Sequence, residues 1–185
     1  MRKAYITSGP RGAGKSTFVL KLKEYNPDLV VFHRDKAFNE EFGNSWTDPY
    51  SGIALILKDF VKYKITDMIY SSDEDATIVI DSWNGSYQER KFLVDVLIYA
   101  GVSCVNCLYF VTPLPICLKW FSYKPDASHW MEIGVIRDYK LYHEKADDIR
   151  NPQDELRFLF DGALFDNTYW INPAQLVLPG IHFNL

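Results

Sequence analysis

The chain has few cysteines and no long apolar run. Its 185 residues include three cysteines, too few for a disulfide framework. Cys104 and Cys107 have C-x-x-C spacing, but the sequence has no second pair to complete a zinc site, so we expect buried strand cysteines in a reducing cytoplasm. No run of about twenty apolar residues occurs, which predicts no membrane span. Residues 1–9 lead straight into a glycine-rich loop and leave no room for a secretory signal, so we expect a cytoplasmic protein.

The chain also lacks an excess of positive charge. It has 20 lysines and arginines against 24 aspartates and glutamates, a formal net charge of −4. This balance argues against broad coating of nucleic acid, although it leaves room for a local basic groove. Apolar residues make up 48% of the chain, which excludes a disordered protein. The length predicts a single domain, residues 1–185.

Apolar strands and amphipathic helices alternate along the chain. This alternation predicts an α/β fold of three layers, with a central parallel sheet and helices on both faces. Ligand sites in such sheets lie at the carboxyl ends of the strands. Strands are predicted at 4–7, 29–32, 76–81 and 102–111, with one or two more within 156–172, and helices at 16–25, 51–63, 86–101 and 131–148. The first helix has Phe18, Leu22 and Tyr25 on one apolar face. The third begins with a capping box of Ser86 and Glu89 and ends at Gly101.

The residues after the first strand form a phosphate-binding motif. The stretch "GPRGAGKS" fits G-x-x-x-x-G-K-[ST], the P-loop, and the following helix directs its positive dipole end at the same anion. Glycines let backbone N–H groups turn inward around a phosphate. Lys15 is expected to reach the β- and γ-phosphates, Ser16 to hold Mg²⁺, and Thr17 to reach the α-phosphate. The expected phosphate-binding residues are Gly9, Arg11, Gly12, Ala13, Gly14, Lys15, Ser16 and Thr17.

Two classes of P-loop protein lack their signatures here. No base-reading N-K-x-D element of GTPases is present. The ATPase pattern of an aspartate followed by a catalytic glutamate is also missing, because Ser82 follows Asp81. Small P-loop kinases instead keep a carboxylate at the end of the second strand, which favours a kinase here.

Asp35 and Asp81 are the candidate carboxylates. Asp35 follows the second predicted strand, where it is either the base that accepts the proton of an acceptor hydroxyl or a helix N-cap. Asp81 ends the third strand and is either a Mg²⁺ ligand acting through water or a turn-capping residue. Arg34 either neutralises phosphate charge or pairs on the surface.

The chain resembles the 5′-hydroxyl polynucleotide kinase family. The motifs that carry the resemblance are "GPRGAGKST", "NPDLVVFHRD", "TIVIDSWNGSYQERK", "CLYFVTPLPICLKWFSYK" and "VIRDYKLYHEK". The resemblance implies a P-loop kinase-like fold and Mg²⁺-dependent transfer of the γ-phosphate of ATP to a hydroxyl. It also implies that Asp35 is the base, that Asp81 supports the metal or the P-loop, and that a lid around 114–130 brings Lys119 and Lys124 to the nucleotide.

Two features depart from the family pattern. Phe38 stands where the family commonly has an arginine that holds a phosphate of the acceptor strand. The predicted lid has lysines where the family has arginines, and lysine does not reproduce bidentate phosphate contacts. The chemistry is compatible with both changes, but the acceptor does not follow from the resemblance.

Further residues have two interpretations each. Trp120 and Tyr123 either stack on an acceptor base or belong to the core, as do Trp83, Phe121 and Trp130. Arg90 either contacts substrate or forms a salt bridge along its helix.

Arg137 follows the lid and is a second candidate for a phosphate contact. His33 is interpreted as packed or solvent-facing rather than chemical. The aromatic tail, residues 169–185, is expected to supply either the adenine pocket or a dimer contact.

The function that the sequence favours is an ATP- and Mg²⁺-dependent kinase acting on a hydroxyl of a nucleic acid or nucleotide, with a polynucleotide 5′-OH preferred. The same chemistry on a modified base hydroxyl in DNA, a nucleoside or a small metabolite stays open. So does an ATP-binding regulatory module without transfer. A preference for ATP over GTP does not follow from the sequence.

Overall fold

A computed structural model describes residues 1–43, 56–124, 129–144 and 164–174. Five strands and six helices alternate along these residues. The strands are β1 (Lys3–Ser8), β2 (Val30–His33), β3 (Thr77–Asp81), β4 (Cys104–Phe110) and β5 (Asn167–Ile171). The helices are α1 (Lys15–Tyr25), α2 (Arg34–Phe42), α3 (Leu57–Tyr70), α4 (Tyr87–Tyr99), α5 (Leu114–Ser122) and α6 (His129–Glu144).

The strands form one parallel sheet in the order β2-β3-β1-β4-β5. The predicted α/β fold with a central parallel sheet is confirmed. From β1 the chain crosses to β2 at one edge of the sheet, and from β3 it crosses to β4 on the other side of β1. The strand order therefore reverses between β1 and β3, and ligands bind outside the carboxyl ends of strands at such a reversal.

Both faces of the sheet are covered, because successive residues of a strand point to opposite sides. Ile6 of β1 packs in a core cluster with side chains from α2, α3 and α4. Its neighbour Tyr5 packs in a second cluster with side chains from α1, α5 and α6. The sheet is thus the middle of three layers, and the carboxyl edge is where its polar side chains collect.

Helix α4 begins and ends as the sequence predicts. Ser86 Oγ accepts a hydrogen bond from the backbone N–H of Glu89 at 3.3 Å, and the Glu89 carboxylate accepts one from the Ser86 N–H at 3.1 Å. This reciprocal pair is a capping box. Gly101, just beyond the helix, has φ 89°, a conformation that glycine adopts at little cost.

Other expectations about elements are corrected. The buried residues of α1 are Val19 and Leu22, whereas Tyr25, expected on the buried face, is 81% exposed. Helices α2 and α5 were not expected. Helix α3 continues to Tyr70, and residues 44–55 and 145–163 lie outside the described part.

Phe38 does not line an acceptor pocket. Its side chain is buried on the inner face of α2, with its ring centroid 5.5 Å from that of Phe60. Only an apolar side chain fits there at low cost, because a charged group would lose its hydration. The family resemblance makes this position a candidate for contact with the acceptor, and that expectation is corrected, because Phe38 is a core residue.

Arg90 is likewise part of the core. It is fully buried, and its Nη1 donates hydrogen bonds to the carbonyls of Asn84 at 3.2 Å and Gly85 at 3.0 Å. Its guanidinium lies over the Tyr109 ring, 5.9 Å from the centroid. Arg90 therefore holds the turn after β3, and the expectation of a substrate contact is corrected.

Within the described ranges, no helix has both the length and the apolar character needed to cross a bilayer. The cysteines of β4 are free thiols, Cys107 buried and Cys104 partly so, as the spacing within an apolar strand predicts.

We predict that Phe38→Ala lowers the free energy of unfolding by about 3–5 kcal/mol, because it leaves a cavity among the aromatic rings of α2 and α3. Phe38→Leu, which keeps most of the apolar volume, costs less. Urea unfolding measures both, with Tyr25→Ala as the exposed-aromatic control. A Phe38→Ala protein as stable as wild type would contradict the core placement.

Candidate phosphate-binding cleft

A cleft of about 1140 Å³ opens at the carboxyl ends of β1, β2 and β3. Most of the residues singled out in the sequence line it together. They are Arg11, Gly12, Ala13, Gly14, Lys15, Ser16, Thr17, His33, Arg34, Asp35, Asp81, Trp83, Trp120, Tyr123, Lys124 and Arg137. Gly9, Phe38, Arg90 and Lys119 are not among the lining residues.

The loop requires glycines because its backbone lies too close to neighbouring residues to leave room for side chains. Gly12 and Gly14 have φ values of 79° and 87°, which residues with a Cβ rarely adopt. A Cβ on Gly12 would lie 2.4 Å from the carbonyl oxygen of Cys117 in α5. A Cβ on Gly9 would lie 2.7 Å from Cβ of Phe110, at the end of β4. The loop is therefore pressed between the sheet edge and α5, which fixes its shape.

Lys15 lies at the centre of the cleft. Its ammonium donates hydrogen bonds to the carbonyls of Gly9 at 2.8 Å and Pro10 at 2.9 Å. Burial lowers the pKa of Lys15 to about 8, although the nearby carboxylates of Asp81 and Asp35 act in the opposite direction. A cation in such surroundings gains much from an anionic ligand.

Asp81 is held by two partners on neighbouring strands. His33 Nδ1 lies 2.9 Å from Asp81 Oδ2, and Thr7 Oγ1 lies 3.5 Å from Asp81 Oδ1. The Asp81 side chain is 5% exposed and the imidazole 26%. None of the described contacts of this carboxylate caps a turn, so the turn-capping interpretation is not supported. The expectation that His33 is only packed or solvent-facing is corrected.

Asp35 lies in the first turn of α2. Its side chain is 69% exposed, lines the cleft, and its Oδ1 is 3.4 Å from Arg34 Nε. The N-cap of α2 is His33, so the expectation that Asp35 might be a cap is corrected. Arg34 pairs with Asp35, as the surface-pair interpretation predicts, and it also lines the cleft; a contact with phosphate stays a prediction.

Ser16 and Asp81 provide a donor set that suits Mg²⁺. This ion takes one or two carboxylate or hydroxyl oxygens in nucleotide sites and fills its remaining positions with phosphate and water. Both side chains line the same cleft as the phosphate loop. Within the described ranges, no group of three or more histidine, cysteine, aspartate or glutamate side chains could hold a metal ion by itself.

Asp138 of α6 joins two arginines at the mouth of the cleft. Its Oδ2 lies 3.2 Å from Arg11 Nε of the loop, and its Oδ1 lies 3.2 Å from the Nη2 atom of Arg137. The pairing ties the phosphate loop to α6. It also keeps two cations at the opening.

Helix α5 packs against the loop from the other side. Cys117 and Phe121 are buried, and Thr112 Oγ1 donates to the carbonyl of Ala13 at 2.8 Å. A Cβ on Gly14 would lie 2.9 Å from the indole of Trp120 and 3.6 Å from Pro173.

The predicted lid at 114–130 therefore begins as a docked helix. Tyr123 and Lys124 reach the cleft, whereas Lys119 is exposed and lies away from it. Residues 125–128 of this region are outside the described part, and the side chain of Trp130 is too. A moving lid stays a prediction.

Comparisons with known proteins agree with the architecture. A solved structure described as the Pnkp1/Rnl/Hen1 RNA repair complex superposes with a TM-score of 0.61 at 18% sequence identity. The match covers 76% of this chain and 44% of the other, so this chain spans less than half the length of that neighbour. No family model matches the sequence, and no curated protein does.

The chain has a P-loop kinase-like fold. At this identity the likeness shows the fold alone. The P-loop kinase-like sheet explains why residues far apart in sequence, from β1 to α6, meet at one edge.

Several lining residues were not singled out from the sequence. His33 was considered there but given no role in the site, and Pro173 was considered only as part of the aromatic tail. Lys21 lies one helical turn beyond Thr17 on α1, a spacing that would have placed it on the same face. His33 stands opposite Asp81 in the strand register. That pairing was not visible without knowing that β2 neighbours β3. Asp138 and Pro173 reach the cleft only through tertiary packing.

We predict that affinity for ADP, measured by calorimetry in EDTA, falls about tenfold from pH 7 to pH 9. The pKa of Lys15 is about 8, so the ammonium loses its proton in the free protein over this range. In the complex the anionic phosphate of ADP keeps the ammonium protonated, so binding at high pH requires uptake of a proton. In Lys15→Met the affinity should be weak and independent of pH. A flat wild-type profile, or the same slope in Lys15→Met, would assign the effect elsewhere.

Proposed function

We propose that this protein is an ATP- and Mg²⁺-dependent kinase that transfers the γ-phosphate to a hydroxyl of a nucleic acid or nucleotide. The observation that carries the proposal is that the phosphate loop, Lys15 and Asp35 line one cleft. Phosphoryl transfer needs an anchored polyphosphate and a carboxylate beside the attacking hydroxyl, and little other covalent chemistry.

In the proposed reaction the acceptor oxygen attacks the γ-phosphorus in line as the bond to the β-phosphate oxygen breaks. The hydroxyl proton passes to Asp35, and ADP leaves with the bonding electron pair. Lys15 exchanges its two carbonyl partners for phosphate oxygens and stabilises the transferred charge. The exposure of Asp35 suits a group that meets a second substrate.

Ser16 and Asp81 would hold the metal ion, directly or through water. When bound, Mg²⁺ neutralises charge on the β- and γ-phosphates. The Asp81 carboxylate is already ordered by Thr7 and His33, so little reorganisation is needed.

A polyanionic acceptor is supported by the charge of the cleft. Seven lysine and arginine side chains line it against three carboxylates, although the whole chain carries −4. Lys21, Lys36 and Arg34 lie on α1 and α2, the same two helices that carry Thr17 and Asp35. We therefore favour a polynucleotide 5′-OH, in keeping with the RNA repair complex that shares the fold.

We predict that Asp35→Asn lowers phosphate transfer by about 10²- to 10⁴-fold and leaves ATP affinity within a few-fold of wild type. The amide keeps the size of the side chain but does not accept the proton. Transfer of labelled γ-phosphate from Mg·ATP is measured on 5′-OH single-stranded RNA and DNA, duplex DNA with hydroxymethylated bases, and free nucleosides.

Asp28→Asn is the matched control, an exposed aspartate before β2 that should keep full activity. Label on a 5′ end that disappears with Asp35→Asn supports the proposal. Label on another acceptor keeps Asp35 as base and changes the acceptor. ATP binding without label on any acceptor would favour a regulatory module.

Trp120 and Pro173 are the proposed contacts of the nucleotide base. Both lie against Gly14 and both line the cleft, so a base can stack there while its phosphates reach the loop. This favours the adenine-pocket interpretation of the tail for Pro173. For Trp120, it favours stacking on the base of the nucleotide over stacking on the base of the acceptor.

We predict that Trp120→Leu weakens ATP binding by about 1–3 kcal/mol, the usual contribution of base stacking. Inorganic tripolyphosphate, which has no base, should bind the variant as it binds wild type. Calorimetry measures both ligands. Equal loss of affinity for both would mean that Trp120 only shapes the loop at Gly14.

A further inference from the structure

His33 is a polar side chain at the cleft that takes no direct part in the bond-making steps of the proposed reaction. It is the last residue of β2, and Asp81 is the last residue of β3. The two stand opposite each other in the parallel register. Side chains at paired positions point to the same side of a sheet, so the imidazole and the carboxylate meet at the carboxyl edge, Nδ1 to Oδ2 at 2.9 Å.

Asp81 depends on this contact. Its side chain is 5% exposed, and a buried carboxylate is costly without hydrogen-bond donors. A carboxylate oxygen accepts, so Nδ1 of His33 is the donor. The Thr7 hydroxyl has one proton to donate, and the carbonyls of Ser82 at 3.1 Å and Ile80 at 3.3 Å compete for it with Oδ1 at 3.5 Å. The contact with His33 is thus the shorter of the two described contacts of the Asp81 carboxylate, and it restrains one of the two carboxylate oxygens.

The same residue is continuous with the helix that carries the proposed base. His33 is the N-cap of α2, and Asp35 stands two residues later in the first turn. The His33–Asp81 contact therefore joins the end of β3 to the start of α2. The hydrogen bond holds the metal-side carboxylate and the base-bearing turn in one arrangement.

We propose that His33 is a positioning residue for the metal, one that orients the Asp81 carboxylate by holding Oδ2 and leaves Oδ1 to face the ion or its water. This inference rests on the proposed function. Groups that hydrogen-bond a metal-binding side chain contribute about 10- to 100-fold to metal affinity. If the His33–Asp81 pair only joined β2 to β3, its loss would lower the stability of the protein and weaken the binding of Mn²⁺ and of metal-free ADP alike.

The test compares His33→Leu with His33→Asn. Leucine removes the donor and keeps apolar bulk, whereas the asparagine amide presents a donor near the position of Nδ1. Glu40→Gln, an exposed change on α2, is the control. Mn²⁺ dissociation from the protein–ADP complex is measured by electron paramagnetic resonance at one pH, and ADP affinity in EDTA is measured separately by calorimetry.

We expect His33→Leu to raise the Mn²⁺ dissociation constant about tenfold or more, and His33→Asn to stay within about threefold of wild type. ADP affinity in EDTA should be unchanged in all variants. Wild-type metal affinity in His33→Leu would overturn the inference, as would equal losses of Mn²⁺ and metal-free ADP binding. If wild type itself binds no Mn²⁺ with ADP, the proposed function fails as well. The wild-type Mn²⁺ measurement therefore distinguishes failure of the proposed function from failure of the inference about His33.

Discussion

The hydrogen bonds that join the end of β1 to the turn after β3 determine the geometry of the cleft. Ser8 Oγ donates to the carbonyl of Asn84 at 2.6 Å, and Asn84 Nδ2 donates to the carbonyl of Thr7 at 2.9 Å. The Gly9 N–H donates to the carbonyl of Trp83 at 3.2 Å. Buried polar groups are costly to leave unpaired, so these bonds fix the start of the phosphate loop against the strand that carries Asp81.

The cleft stores unfavourable electrostatic energy that a ligand would relieve. Lys15 is partly buried, has a lowered pKa and has two backbone carbonyls as partners. Carbonyl dipoles stabilise an ammonium less than phosphate oxygens do, because the latter carry full negative charge. The loop keeps this shape because Gly12, at a positive φ, packs closely against α5. A rigid backbone and a poorly satisfied cation are together what an anion site requires.

The sequence predicted the parts of the site that are local and missed those that depend on strand order. The phosphate loop and the capping box of α4 are set by neighbours within a few residues, so motif spacing was enough for both. The burial of Phe38 was not visible, because the expectation came from a family position rather than from the helix that α2 forms. His33 required knowledge that β2 neighbours β3, which no local pattern contains.

Charge is distributed unevenly, and this restricts where a polyanion can bind. The chain is acidic overall, yet the cleft has more than twice as many cationic as anionic side chains. Walls of low dielectric concentrate such a field at the opening, so the proposed anionic acceptor would be drawn to the face that carries Asp35. Asp138 limits the effect by pairing with Arg11 and Arg137. A neutral small acceptor would gain nothing from this field, which is the physical reason for preferring a polynucleotide end.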